Sequence, residues 1–440
     1  MKLSLKACLT LGTLLSATPS ASATFLEIIS EYFDPLPETA VSNPNDATTK
    51  AQIELGKTLY FDPRLSADWD VSCASCHDIN NGGDDGLEVS VGHQGLTGER
   101  NAPTVLNAVF NIAQFWDGRA DTLAEQAKGP VVAPVEMANT PENVIKTLNA
   151  IPWYREQFNA AFPNQGDALT FDNMATAIAT FEETLVTPTK FDDFLNGDES
   201  ALTPDELFGV FTFIDTGCIV CHNGTNVGGG FFERLGMVHA VDPAKFPPED
   251  TGVYAVTNLE EDKYSFRVAP LRNVTVTAPY FHSGRVESLE EAVNIMAKAQ
   301  LGTVLRPQDT ASIIAFLTSL EGAPLGIDAP ELPELDPELA HIVAPPALAH
   351  LYPDPQEAIV NDEVEDTTLT GVLAETIEAV EAEAEAEAEA EAEAEAEAPD
   401  SEPASQSKPV EVAPAKPAET TQKSKPSKST SSFTSVADLD

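Results

Sequence analysis

The chain has 440 residues, with 24 Lys and Arg against 71 Asp and Glu, and a formal net charge of −47. So acidic a balance makes nucleic acid or an anionic membrane surface a poor partner; it suits basic partners, or simply keeps an exported chain soluble. The length allows two or three domains and a buried core.

Residues 1–23 read as a secretory signal peptide. Lys2 and Lys6 form the charged start, Leu9 to Leu15 the short apolar run, and Ala21-Ser22-Ala23 the small-residue cleavage site. Neither that run nor any other stretch is long enough to cross a bilayer. Cys8 stands before the apolar run and close to Lys6, as a cysteine of the removed signal rather than a lipid anchor.

From Thr24 to about Gly322 the sequence predicts a globular, mostly helical part with many loops and few strand signals. It contains two Cys-x-x-Cys-His pentads, Cys73-Ala74-Ser75-Cys76-His77 and Cys218-Ile219-Val220-Cys221-His222, which use four of the five cysteines. This is the attachment pattern of c-type haem: the cysteines form thioethers with the porphyrin and the histidine ligates iron. Zinc would need two further Cys or His ligands per pair at short spacing. A thioredoxin-like pair would need a βαβ setting, which the sequence lacks. Export agrees with haem, because c-type haem is attached outside the cytoplasm.

Between the pentads, Gly82-Gly83-Asp84-Asp85-Gly86 and Val91-Gly92-His93-Gln94-Gly95 predict a mobile, glycine-flanked segment. Thr203-Pro204-Asp205-Glu206 is a helix start with a threonine cap, proline at the first position and a returning glutamate. The helix it opens carries Leu207, Val210, Phe211 and Ile214 and runs directly into the second pentad. Ser288-Leu289-Glu290-Glu291 is a second capping box, opening a helix with Ala292, Val293 and Met296 on one face; Ile313, Ile314, Leu317 and Leu320 mark another. The pattern predicts two cytochrome-c-like haem domains, residues 24–200 and 201–354, meeting near Asn196 to Thr203. Pro324 to Asp354 is expected as an irregular extension of the second. Residues 355–440, with the Glu-Ala run from about Glu381 to Glu397, are expected as a low-complexity acidic, Pro-rich tail, disordered at neutral pH because glutamates four apart repel.

Each pentad fixes one axial ligand, His77 and His222, and the opposite side of each iron decides the chemistry. The other histidines are His93, His239, His282, His341 and His350; the mature methionines are Met137, Met174, Met237 and Met296. A loop histidine is usually solvated and a methionine on an amphipathic face usually fills a core, so residue chemistry alone does not separate Met296 from Met237.

The stretch from Cys73 through Gly302 resembles the bacterial di-haem cytochrome c peroxidases. The matching text is Gly98-Glu99-Arg100-Asn101-Ala102-Pro103-Thr104-Val105-Leu106-Asn107, Phe115-Trp116-Asp117-Gly118-Arg119, Pro134-Val135-Glu136-Met137-Ala138 and Ala278-Pro279-Tyr280-Phe281-His282-Ser283-Gly284. It spans nearly the whole globular part and leaves the tail outside. The resemblance implies a periplasmic enzyme that reduces hydrogen peroxide to water with electrons from a small cytochrome c or copper protein, through two covalent haem c groups on Cys73, Cys76, Cys218 and Cys221. It implies a low-potential peroxidatic iron with His77 proximal and His93 as displaceable ligand, and a high-potential iron with His222 and Met296; a His/Met pair raises the potential. It further implies Glu136 as the proton shuttle, Gln126 as a polar neighbour orienting peroxide, Trp116 on the electron route, and a calcium ion on Asn101 and the carbonyls of Thr277 and Pro279. Arg267 and Arg272 are candidates for propionate pairing or for surface salt bridges. Homodimerisation is typical of the family.

Two rivals accompany this reading. One is a related di-haem oxidase of protein side chains, whose members have tyrosine where this chain has Met296. The other is a non-enzymatic electron carrier with both irons permanently six-coordinate.

Overall fold

Two helical cores organise the protein. The computed structural model describes residues 24–353, so the expected signal segment and the acidic tail lie outside the described residues. In the first core, helix Ala47–Phe61 opens on Asp46, whose carboxylate accepts the Thr48 and Thr49 N–H groups. It crosses helix Phe171–Glu182 at Gly56, where a Cβ would stand 1.9 Å from the Ala177 carbonyl oxygen. Leu55, Leu59, Tyr60, Met174, Ile178 and Phe181 fill the contact, and helix Leu123–Val132 adds Ala127 and Val131.

The second core pairs helix Pro204–Thr216 with Pro307–Thr318. Their close approach is at Gly209, where a Cβ would meet the Ser312 carbonyl oxygen at 2.1 Å. Val210, Phe213, Ile313, Phe316 and Leu317 interlock there. Ile29 and Phe33, from the start of the described chain, and Phe191 and Phe194 complete this core. Beneath it Arg272 makes a buried two-pronged pair with Asp192, Nη1–Oδ2 2.8 Å and Nη2–Oδ1 2.8 Å. Between the cores, Thr187 Oγ1 accepts the side-chain amides of both Asn107 and Asn273, each at 2.8 Å. Residues 24–353 lie within one compact unit.

The helix starts follow the sequence in part. Thr203 and Glu206 close both halves of the predicted capping box. At Ser288 only one half forms: its hydroxyl accepts the Glu291 N–H at 3.1 Å, while the Glu291 carboxylate pairs with Lys245 at 2.7 Å. The helix expected to run into the second pentad stops one residue short. Gly217 adopts φ 94° and ψ 10°, a left-handed cap, and the pentad opens with a 3₁₀ turn, Cys218–Val220. The only named strands among the described residues, Phe232–Arg234 and Ser265–Arg267, pair antiparallel with Glu233 opposite Phe266.

The extension after residue 322 is irregular at first and packs on the first core through Leu325, Ile327 and Leu335. Asn80 and Ile327 exchange hydrogen bonds at 2.9 and 3.2 Å, and Arg64 donates to the Pro333 carbonyl at 2.8 Å. Then, against the expectation of irregular chain, Asp336 caps a short helix, Pro337–Val343, with proline at its first position. Tyr352 meets the Trp69 ring edge-on at 6.0 Å. No helix among the described residues is long and apolar enough to cross a membrane.

Candidate haem sites

The second pentad opens onto a largely apolar cleft of about 1230 Å³, mouth included. Cys218, Cys221 and His222 lie on one wall, and helix Leu289–Leu301 contributes Val293 and Met296 to the lining. The structure thus brings His222 and Met296 to one cavity. Met237, its equal in residue chemistry, is exposed and absent from the lining. Burial lowers His222 to about 4, with the Val227 and Ala269 backbone offsetting part of the effect, so the imidazole is neutral and able to ligate metal. Burial also pushes the Cys218 thiol up to about 12, and Cys73 further. Such surroundings suit a thioether better than a zinc thiolate. No group of three or more His, Cys, Asp or Glu able to hold a metal ion occurs among the described residues.

The cleft asks for an anion as well as a ring. Arg267 lines it, is 3% exposed, and leaves Nη1 buried without a hydrogen-bond partner. Its Nε donates to the Phe115 carbonyl at 3.3 Å, and burial lowers its pKa to about 10. A flat apolar ring bearing a carboxylate, as haem with its propionates provides, satisfies both the cavity and the unpartnered Nη1. Arg272, the other candidate, is already committed to Asp192 and to the Thr225 carbonyl, and this pair is buried rather than at the surface.

Trp116 reaches the same cleft. Its indole N–H donates to the Asn101 carbonyl at 3.0 Å, and the Asn101 N–H donates to the His282 carbonyl at 2.9 Å. His282 was not singled out from the sequence, although it lies in a quoted motif. It stacks on Phe266 with centroids 3.9 Å apart and meets Trp116 edge-on at 6.2 Å. Arg100 braces this corner by pairing with Asp117 and Asp250, each at 2.6 Å.

Around the first pentad the polar groups are denser. His77 has Nδ1 3.2 Å from the Gly83 carbonyl, which fixes the ring, and its own carbonyl accepts the Tyr60 hydroxyl at 2.7 Å. Burial lowers its pKa. Glu136 occupies the turn after helix Leu123–Val132, the helix that carries half-buried Gln126. Burial raises the Glu136 pKa and nearby Arg119 pulls it back; its charge in turn acts on Cys76, which places it toward the pentad. The Glu136 carbonyl accepts the His93 N–H at 2.7 Å. Gly92 permits this contact, since a Cβ there would sit 2.2 Å from the Val135 carbonyl oxygen and 2.7 Å from Glu136 Cα. Glu136 and His93 are therefore carried on mutually tethered segments.

Asn101 Nδ2 donates to the Leu87 carbonyl at 2.8 Å, leaving the amide oxygen as the end for a cation. The neighbouring segments meet closely at Gly82, where a Cβ would stand 2.6 Å from the Val276 carbonyl oxygen, while Ala278 is in ordinary contact with Gly86. Asp84 is buried there, and burial together with Asp85 raises its carboxyl to about 7.

A family model described as di-haem cytochrome c peroxidase matches residues 50–200. The cytochrome c551 peroxidase of Pseudomonas aeruginosa is 50% identical over 329 residues, 74% of this chain and 95% of that protein. The methylamine utilization protein MauG of Methylorubrum extorquens is 33% identical over 330 residues, 72% of this chain and 91% of that one. Among solved structures, a MauG-like protein associated with microbial copper homeostasis superposes with a TM-score of 0.58 at 27% identity, covering 65% of this chain and 93% of that one. With two pentads, a His/Met cleft and these relatives, the chain belongs to the di-haem cytochrome c peroxidase family.

Proposed function

We propose that the protein is a periplasmic di-haem peroxidase that reduces hydrogen peroxide to two waters, consuming two protons and two electrons from a small cytochrome c or copper protein. The observation that carries the reading is the junction of His93 and Glu136 beside the first pentad, set against the His222–Met296 cleft of the second. One site has a ligand on a hinged loop and an acid–base group; the other offers a permanent pair of ligands.

Cys73, Cys76 and His77 would hold the first haem, and Cys218, Cys221, His222 and Met296 the second, with Arg267 on a propionate. Haem, when bound, supplies redox-active iron and, where a ligand position opens, a site for peroxide oxygen. The protein's part is to move protons and hold groups. The His93 loop withdraws and makes room. A Glu136 carboxylate oxygen takes the proton from the peroxide oxygen nearer the metal and delivers it to the departing oxygen. The raised pKa of Glu136 suits this work, because an acid–base group acts best when its affinity for the proton approaches the working pH. Gln126 orients the peroxide. Trp116, fixed through Asn101, stands at the wall of the second cleft and offers the electron route toward the first.

A calcium ion on the Asn101 side chain and the Thr277 and Pro279 carbonyls would join the segments from both cores; the free amide oxygen and the buried Asp84 carboxyl nearby support it. We read residues 24–200 and 201–354 as the two haem domains, with Ile29, Phe33, Phe191 and Phe194 crossing into the second core and the extension folding back onto the first, and the protein as a homodimer. Met296 in the His222 cleft, and 50% identity to a peroxidase against 33% to MauG, favour the peroxidase over a side-chain oxidase. Stopped-flow turnover of hydrogen peroxide by the holoprotein with reduced cytochrome c tests the proposal. Rapid oxidation of two donor equivalents per peroxide is expected; an inert protein would reduce it to an electron carrier.

A further inference from the structure

The loop that carries His93 is held by more than its backbone. Asp68 Oδ2 accepts Nε2 of Gln94 at 3.1 Å and stands 3.7 Å from Nδ1 of His93. That nitrogen is buried and has no hydrogen-bond partner. Its separation from Asp68 is longer than a hydrogen bond, but no Lys or Arg among the described residues pairs with this carboxylate. A histidine that binds metal through one ring nitrogen nearly always donates the other N–H to a carboxylate, carbonyl or water. Asp68 is the carboxylate in reach.

Asp68 is itself mounted on a fixed corner. The Ser66 hydroxyl oxygen accepts the N–H groups of Asp70 and Val71 at 3.0 and 3.1 Å. Trp69 takes φ 61°, a left-handed conformation unusual for a bulky side chain, with its ring against Tyr352 of the extension. Ala67 donates to the Met137 carbonyl at 2.8 Å, one residue from the Glu136 carbonyl that receives the His93 N–H. Three segments, the corner at 66–71, the His93 loop and the Glu136 turn, are thus pinned to one another, and Asp68 is the side chain that bridges corner and loop.

We propose that Asp68 is the positioning residue for His93: its carboxylate orients the imidazole, strengthens it as a ligand and holds the loop against the Glu136 turn. It thereby sets how readily the ligand leaves the first haem iron. The proposal rests on the reading of His93 as that displaceable ligand. Asp68 is 29% exposed, so its replacement need not disturb a core.

The test uses electron paramagnetic resonance of the fully oxidised di-haem protein, with the second-haem signal as the check on folding. Loss of such an outer partner weakens metal binding by roughly 10–100-fold. In Asp68→Ala the high-spin share of the first haem should therefore rise several-fold with the second-haem signal unchanged, and peroxide should bind without prior reduction. Asp68→Glu should move the spectrum back toward the parent. His93→Gly separates the ligand role of His93 from the positioning role of Asp68. If His93→Gly turns the first haem high-spin while Asp68→Ala matches the parent, His93 is the ligand and Asp68 does not position it. If His93→Gly leaves the first haem unchanged, His93 is no ligand and the proposal falls with that reading.

Discussion

The N–H of His93 donates to the carbonyl of Glu136 at 2.7 Å. The candidate ligand and the candidate acid–base group therefore do not move independently; withdrawal of the loop also frees the backbone that holds the carboxylate. Gly92 makes the contact possible, because any Cβ there collides with Val135 and Glu136. Gly92→Ala should push the loop off its seat. We expect a larger high-spin fraction at the first haem in the oxidised protein and peroxidase activity without prior reduction. An unchanged resting spectrum would show that loop seating does not govern the ligand.

Glu136→Gln keeps shape and polarity but removes the proton carrier. General acid–base groups contribute roughly 10²–10⁴-fold, so kcat should fall by at least about 100-fold while both haem spectra stay at parental values. Retention of full turnover would remove Glu136 from the acid–base role.

Met296 and His222 line one cleft. Axial ligands tune haem potentials over hundreds of millivolts, so Met296→Ala should lower the potential of the second haem by on the order of 0.1 V. Electron delivery from the donor should slow, and the first haem's potential should hardly change. A redox titration with both midpoints unmoved would mean that another group occupies that position.

The pentads and the Thr203 helix start were legible because each is a short-range pattern with a fixed geometric meaning; Met296 came only from the family resemblance, since residue chemistry did not separate it from Met237. The left-handed stop at Gly217 was missed: it lies between a strong helix signal and the pentad, and only the folded chain shows where one yields to the other. The half-formed box at Ser288 was missed because Lys245, distant in sequence, competes for Glu291. Arg272 had no local sign of its commitment to Asp192, 80 positions away. His282 lay within a quoted motif, but its stacking on Phe266 and contact with Trp116 depend on segments brought together by folding.

Burial raises Glu182 from an ordinary 4.5 to about 8, and its Oε2 has no hydrogen-bond partner. The folded protein keeps a proton that the unfolded chain releases in that interval. The stability tied to the neutral carboxyl is whole below the unfolded value and is lost as pH rises through the folded one. Glu182→Gln should flatten the decline in denaturant midpoint between these values, with a gain of up to about 5 kcal/mol on the alkaline side. A parental pH profile would assign the slope to other groups.

One iron should give up a ligand while the other keeps both. Electron paramagnetic resonance of the fully oxidised and half-reduced holoprotein reads each centre separately. Reducing the second haem should convert the first from low-spin to an open form, with rapid peroxide consumption. Two irons that stay six-coordinate at every stage, with peroxide untouched, would contradict it.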